Sequence, residues 1–369
     1  MITRTLITGF PGALSKALAQ HRLDTDRDAR IWMLVSAEDV ADPIRSPWAL
    51  FTDQLPGHAR KRITPLVGDL HGLDLGLSGA DAQRLIEQCD FVIHAALTVK
   101  GSRDALWRHH VRPLRDLLSL AREMKKLQRL GLMSTAFVSG DRGGIIYEED
   151  LDKGQGFHSP FEWSMCQAER MAREIMPWLP ITVLRPSAIL GGVNLAADLS
   201  ARSAADLDLG PRYLLDLMVR LPADIPVLLP GGARVPLNLV PMAYVIQATW
   251  ALITAPAAAG RTFHLTDPNP LSAKQVFEIL SDVTRRPRPV TTPGIPGIMR
   301  KALSLPLAPA AIRNPTALLD TLSRVVTYHC AGTLEMLGDQ GIPCPPFETY
   351  VDDLLAWAAA QGSGAGARP

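Results

Sequence analysis

Cysteine is scarce in this 369-residue chain, and its four copies, Cys89, Cys166, Cys330 and Cys344, fall at no Cys-x-x-Cys or other metal-ligand spacing. That leaves no sequence signal for a metal site. Charge of one sign is not in excess either. With 38 Lys and Arg against 37 Asp and Glu the net charge is +1, which offers no electrostatic case for a nucleic-acid partner. No apolar run approaches the roughly 20 uncharged residues that span a bilayer, because Arg300 and Lys301 interrupt the most hydrophobic late stretch. Residues 293–314 read as a proline-rich crossover, with a seat against a membrane surface or lipid as the alternative. No signal peptide precedes the first strand-like run, so a reducing cytoplasm is the expected location. Internal repeats are absent.

What is present is ordinary in amount: 47% of residues are apolar and 20% charged, the balance of a globular protein large enough for two lobes. The order is informative. The first fifty residues read strand (5–8), glycine turn, helix, strand (31–35). Further short apolar runs follow at 63–67, 91–94, 130–133, 181–184 and 263–266, most of them separated by helical patterns. Such alternation predicts an α/β fold with a parallel sheet covered on both faces. After Gly192 the rhythm breaks into a loop and a helix near 212–221. The expected organisation is a main domain over 1–190 plus 235–266, and a smaller, mostly helical lobe from 191–234 and 267–361. A disordered tail is expected at 362–369.

The turn Gly9-Phe10-Pro11-Gly12-Ala13-Leu14-Ser15 lies where the first strand meets the first helix. Glycines there let the backbone approach a pyrophosphate that the helix N-terminus attracts, as in a Rossmann-type dinucleotide site. A plain tight turn is the alternative. Ser15 stands where the usual third glycine would, adding bulk between helix and strand. At the end of the second strand the chain offers Ser36, then Glu38 and Asp39, so NAD and NADP both stay open as the cofactor. Arg60-Lys61-Arg62 forms either a solvated face or a phosphate contact.

The landmarks that follow resemble those of extended short-chain dehydrogenases/reductases, in particular the fatty-acyl and thioester reductase (male sterility) branch. Besides Gly9 and Gly12 they are Gly68-Asp69-Leu70, Leu75-Gly76-Leu77-Ser78, His94-Ala95-Ala96, Ser134-Thr135-Ala136 and Leu184-Arg185-Pro186-Ser187. Leu239-Val240-Pro241-Met242 and Phe263 to Pro268 complete the set. The resemblance implies that Asp69, with Leu70 beside it, meets the adenine edge. It places Ala95 and Ala96 along the dinucleotide and Arg185, Pro186 and Ser187 at the nicotinamide end. The residues alone allow other roles: Asp69 capping a turn, Ala95 and Ala96 as small core residues, Pro186 ending a strand.

The resemblance also implies a tyrosine acid/base, a lysine four residues later, a serine or threonine after the fifth strand, and an asparagine from an earlier helix. A phenol titrates near pH 10 in water, and a neighbouring ammonium is what makes it useful at neutral pH. Here Phe161 takes the tyrosine position, Met165 the lysine position and His110 the asparagine position, and Ser134 alone is retained. Phe161, Met165, Ala168, Ala172 and Ile175 form an apolar stripe at helical spacing, a core pattern. His158, His110, Tyr147 and Glu162 are the substitutes that proximity or alignment offers for a proton donor; none is anchored by a motif, and a lone histidine near a loop is more often structural or solvent-exposed.

These departures lead to the expectation of a homologue that binds a dinucleotide or an acyl ligand without the usual hydride transfer, in a structural, regulatory or ligand-binding role. The alternative is an NAD(P)H-dependent reductase of an acyl-thioester or carbonyl substrate using a non-standard donor. A homodimer through the helices beginning near Leu106 and Phe161, or a heteromeric partner, is expected.

Overall fold

Each of the seven apolar runs forms a strand of one parallel sheet. In chain order these are β1 (Thr3–Thr8), β2 (Ala29–Val35), β3 (Ile63–Val67), β4 (Phe91–His94), β5 (Arg129–Met133), β7 (Ile181–Pro186) and β11 (Thr262–Leu265). Their order across the sheet is β11-β7-β5-β4-β1-β2-β3. The structure is a computed structural model and describes residues 2–191, 224, 228–230, 234–292 and 324–363. The smaller strands β6 (Gly144–Ile146), β8 (Ala188–Leu190), β9 (Leu228–Pro230), β10 (Leu239–Pro241), β12 (Val290–Thr292) and β13 (Val326–Tyr328) join as parallel pairs β8/β10, β9/β12 and β6/β13.

The helices, in chain order, are α1 (Ala13–Thr25), α2 (Pro47–Asp53), α3 (Gly57–Arg60), α4 (Gly79–Gln88), α5 (Arg103–Glu123) and α6 (Pro160–Ile175). They continue with α7 (Met242–Thr254), α8 (Ala273–Thr284), α9 (Ala331–Gly338) and α10 (Val351–Ser363). Successive side chains of a strand face opposite sides, and the strands sort accordingly. Ile7, Ile31, Met33, Ile93 and Leu184 join one core with Leu14 and Leu18 of α1 and Val245 and Leu252 of α7. Leu6, Trp32, Leu34, Val92, Leu132 and Val183 join another with Leu114 and Leu118 of α5 and Ala168 and Ala172 of α6. Each such aliphatic side chain contributes about 1.5–3 kcal/mol on burial, which is what holds helices to both faces.

A third apolar cluster gathers Leu190, Leu239, Phe277, Leu280, Val351 and Leu354 from β8, β10, α8 and α10, with Phe347 from the turn before α10. Helix α10 includes Gly362 and Ser363, which the expected disordered tail would have claimed. The helix expected near 212–221, the crossover at 293–314 and the tail from 364 lie outside the described residues. No helix among the described residues is long and apolar enough to cross a membrane.

Strand order reverses between β1 and β4, and in open α/β sheets the crevice beyond such a reversal is where ligands sit.

Candidate dinucleotide site

Gly9 leaves β1 with φ 100°, a left-handed conformation open mainly to glycine. A Cβ there would collide with the Ala95 carbonyl and lie 2.8 Å from the Ala96 nitrogen, so the glycine turn and the segment after β4 are in direct contact. A Cβ on Gly12 would meet the Gly9 carbonyl oxygen at 2.7 Å. Gly12 N donates to that oxygen at 2.8 Å and closes the turn. The Ser15 hydroxyl donates to the carbonyls of Gly9 (3.0 Å) and Gly12 (2.9 Å). Ser15 is fully buried, so the expected bulk is absorbed and becomes a staple of the turn.

Ala13 and Leu14 point into the core, leaving backbone amides at the start of α1. Gly12 caps that helix without a side-chain hydrogen bond. An uncapped helix N-terminus behind two glycines that cannot bear a side chain fits a pyrophosphate. Phe10 packs edge-on to Trp48 at 5.7 Å and near Phe51 at 6.0 Å, while Pro11, joined by a cis peptide, is exposed.

At the end of β2 the Asp39 carboxylate accepts from Ser36 N (2.9 Å) and Ser36 Oγ (2.8 Å). The acid expected near a ribose is therefore already engaged. Arg62 is buried rather than solvated: its guanidinium donates to the carbonyls of His58, Leu23 and Asp26, closing the end of α1. Asp69 is exposed and accepts His71 N–H at 2.8 Å, the turn-capping role the residues alone allowed. Leu70 packs on the α5 side of the sheet, and Ala95 and Ala96 are buried at the end of β4.

Ser159 caps α6 and Pro160 occupies its first turn, which fixes where Phe161 falls. Phe161 (5% exposed) and Met165 (2%) lie in an apolar cluster with Leu106, Val138, Leu151 and Cys166. Burial and the Glu169 carboxylate push the Cys166 thiol up to about 11. His110 packs edge-on against Phe161 at 5.6 Å. Its Nε2 accepts Thr98 N–H at 3.2 Å, so Nδ1 carries the proton of the neutral ring and donates to Ser164 Oγ at 2.9 Å. The Ser164 hydroxyl donates onward to the Phe161 carbonyl at 2.9 Å. Burial, then His109 and His94, lower the His110 pKa to about 3.

Ser134 is placed elsewhere. Its hydroxyl, 1% exposed, donates to Glu169 Oε2 at 2.8 Å on the inner side of α6. The His158 ring is exposed, and this residue bonds Glu162 through its backbone N–H at 2.9 Å. Glu162 is paired with Arg324, and exposed Tyr147 packs at a tilt against His329, ring centroids 4.9 Å apart. Of the residues proposed for proton transfer, only His110 therefore joins Phe161 and Met165.

Arg185 is fully buried and forks onto Glu169, Nε to Oε2 at 3.0 Å and Nη2 to Oε1 at 2.7 Å. Burial raises the Glu169 pKa, but Arg185, Arg173 and Ser134 outweigh it and hold the carboxyl below its usual range. Arg185 also donates to His264 Nε2 at 3.2 Å. That ring, with Nδ1 donating to the His329 carbonyl, is lowered to about 3 by burial and by Arg185. The Glu148 carboxylate bridges to α9 through Gly332 N, Thr333 N and Thr333 Oγ1. Arg185 is thus a beam of the interior. Pro186 and Ser187 continue beyond it, and the buried Ser187 hydroxyl has no hydrogen-bond partner among the described residues. Sequence reading missed Glu169 and Glu148 as members of this network. Glu169 directly follows Ala168 of the apolar stripe, but no spacing rule ties it to Arg185. Among the described residues no group of three His, Cys, Asp or Glu side chains is placed to hold a metal ion.

A family model described as male sterility protein, an NAD-binding domain, matches residues 7–249. The chain belongs to this family. Male sterility relatives include fatty acyl-CoA reductase 1 of Arabidopsis thaliana, 29% identical over 168 residues, 41% of this chain and 34% of that protein. Fatty acyl-CoA reductase 1 of Xenopus laevis is 31% identical over 173 residues, 43% of this chain and 33% of that protein. The chain spans less than two thirds of the length of the curated relatives it matches. In fold it is similar to the terminal R domain from the myxalamid PKS-NRPS biosynthetic pathway, with a TM-score of 0.75 at 24% identity over 96% of this chain and 91% of that one.

Proposed function

We propose that this male sterility family member binds a nicotinamide dinucleotide between the glycine turn and the 95–99 segment but has given up the usual hydride-transfer chemistry, serving a structural, regulatory or ligand-binding role. The observation that carries this is the apolar packing of Phe161 and Met165 at the start of α6, where the family resemblance expects a phenol and an ammonium. Supporting it, His110 is kept neutral by burial with its Nε2 taken up by Thr98 N–H, and the Ser134 hydroxyl is spent on Glu169. NADP or NAD as the nucleotide, an acyl-thioester or other small-molecule ligand, a homodimer or heteromeric partner and a cytoplasmic location belong to the same proposal.

Titration of the purified protein with NADH and NADPH, together with assays of NADPH oxidation on long-chain acyl-CoA, tests both halves. Binding of one nucleotide below millimolar concentration without turnover is expected. Absence of binding by either removes the nucleotide. Turnover of about 1 per second or more, ordinary for an enzyme, establishes instead a reductase with a non-standard donor, the reading that the fatty acyl-CoA reductase relatives favour.

A further inference from the structure

His110 stands where the family resemblance expects an asparagine, and its hydrogen bonds give it a different task. Three segments meet at its ring: the stretch after β4 through Thr98, α5 through His110 itself, and α6 through Ser164 and Phe161. The first is the wall that touches the glycine turn, since Ala95 and Ala96 lie against Gly9. Leu97, between that contact and Thr98, packs against both the sheet core and the Phe161 cluster.

We propose that His110 is a positioning residue: it clamps Thr98 N–H to α6 and so holds the 95–99 wall at the distance from the glycine turn that a dinucleotide needs. The direction of every bond follows from chemistry. A backbone N–H can only donate, so Nε2 accepts; the neutral ring then carries its proton on Nδ1 and donates to Ser164, whose own proton goes to the Phe161 carbonyl. This chain of donors has one consistent orientation, with no group free to reverse it. The role rests on the nucleotide reading for its consequence, while the clamp itself does not.

Reach separates the possible replacements. The acceptor His110 uses on Thr98 lies three bonds from Cβ, as does the amide oxygen of glutamine, whereas the amide atoms of asparagine lie two bonds out, level with Nδ1. His110→Gln is therefore expected to keep the bond to Thr98 N–H, though not the one to Ser164, and His110→Asn to lose the Thr98 bond, although asparagine is the residue the family resemblance expects. The clamp is read by hydrogen–deuterium exchange of the peptide containing Thr98, and its consequence by titration with NADPH and NADH. Slow exchange is expected in wild type and His110→Gln. His110→Asn and His110→Ala should exchange faster and bind the nucleotide at least about fivefold more weakly, as expected on losing one hydrogen bond. Thermal melting of all four proteins shows that each is folded. Equally slow exchange in His110→Ala overturns the clamp. Fast exchange in that variant with undiminished affinity overturns the positioning role. If wild type binds neither nucleotide, the nucleotide reading and the wall's proposed consequence fail, yet the exchange pattern still decides the clamp.

Discussion

At the scale of single residues, the sharpest constraints are steric and electrostatic. Gly9→Ala places a methyl group on the Ala95 carbonyl at a φ of 100°, so it is expected to destabilise the fold by about 1–3 kcal/mol and to abolish nucleotide binding. Thermal melting and an NADPH titration check this, and a variant with wild-type affinity would contradict the tight contact. Met165→Lys, which restores the charge expected from the family, puts an ammonium among Leu106, Val138 and Phe161. A loss of about 3–5 kcal/mol is expected for an unpaired buried charge. Denaturant midpoints should show it, and Phe161→Tyr with Met165→Lys should restore some NADPH oxidation only with a carbonyl or acyl-thioester substrate present to accept the hydride, more than either single change does. Arg185→Met is expected to cost as much, because it strips the fork from Glu169 inside the core, whereas Ser134→Ala removes one neutral donor and should cost about 1 kcal/mol.

At the scale of elements, the junction of β4 with α5 collects imidazoles that stay neutral. Burial first, then neighbouring histidines, push His94 and His109 down to about 4 and His110 to about 3. His264 on β11 is likewise at about 3, through burial and then Arg185. In the unfolded chain these rings take up protons below about 6.5, while folded they resist until the lowered values are reached. The stability they contribute is therefore complete above pH 6.5 and is lost as the pH falls towards 4. Each ring gives a slope of up to about 1.4 kcal/mol per pH unit in that window. Glu169, held below its usual range, adds stability that also disappears on acidification. Urea midpoints are expected to drop steadily below about pH 6.5; a flat profile down to pH 5 would refute the assignment of neutral buried rings.

At the scale of the whole molecule, assembly meets a charge problem. Arg108, Arg112, Arg115 and Arg122 lie along one exposed face of α5, about one per turn. A homodimer pairing α5 with its two-fold mate brings these guanidinium groups together. Such association is expected to strengthen when salt rises from about 50 to 500 mM, as screening shortens from about 14 to 4 Å. Light scattering at both ionic strengths reads this, and a dimer that weakens with salt would place the interface on another face.

The central sheet could be read from the chain because its cause is local. A run such as 91–94 is apolar on both faces in any fold that covers the sheet twice, and a glycine turn between strand and helix has few conformations open to it. All seven expected runs became strands of one sheet for that reason. The stripe through Phe161 and Met165 was equally legible, since burial of one helix face follows from a period of 3.6 residues. The fates of the polar groups depended on partners far along the chain. Ser134 meets Glu169 35 positions away, His110 meets Ser164 at 54, and Glu148 meets Thr333 at 185. A hydroxyl or imidazole can serve chemistry or hold a wall with the same atoms, and which it does is set by the donors and acceptors that folding brings within about 3 Å. That proximity exists only once the sheet has closed around them.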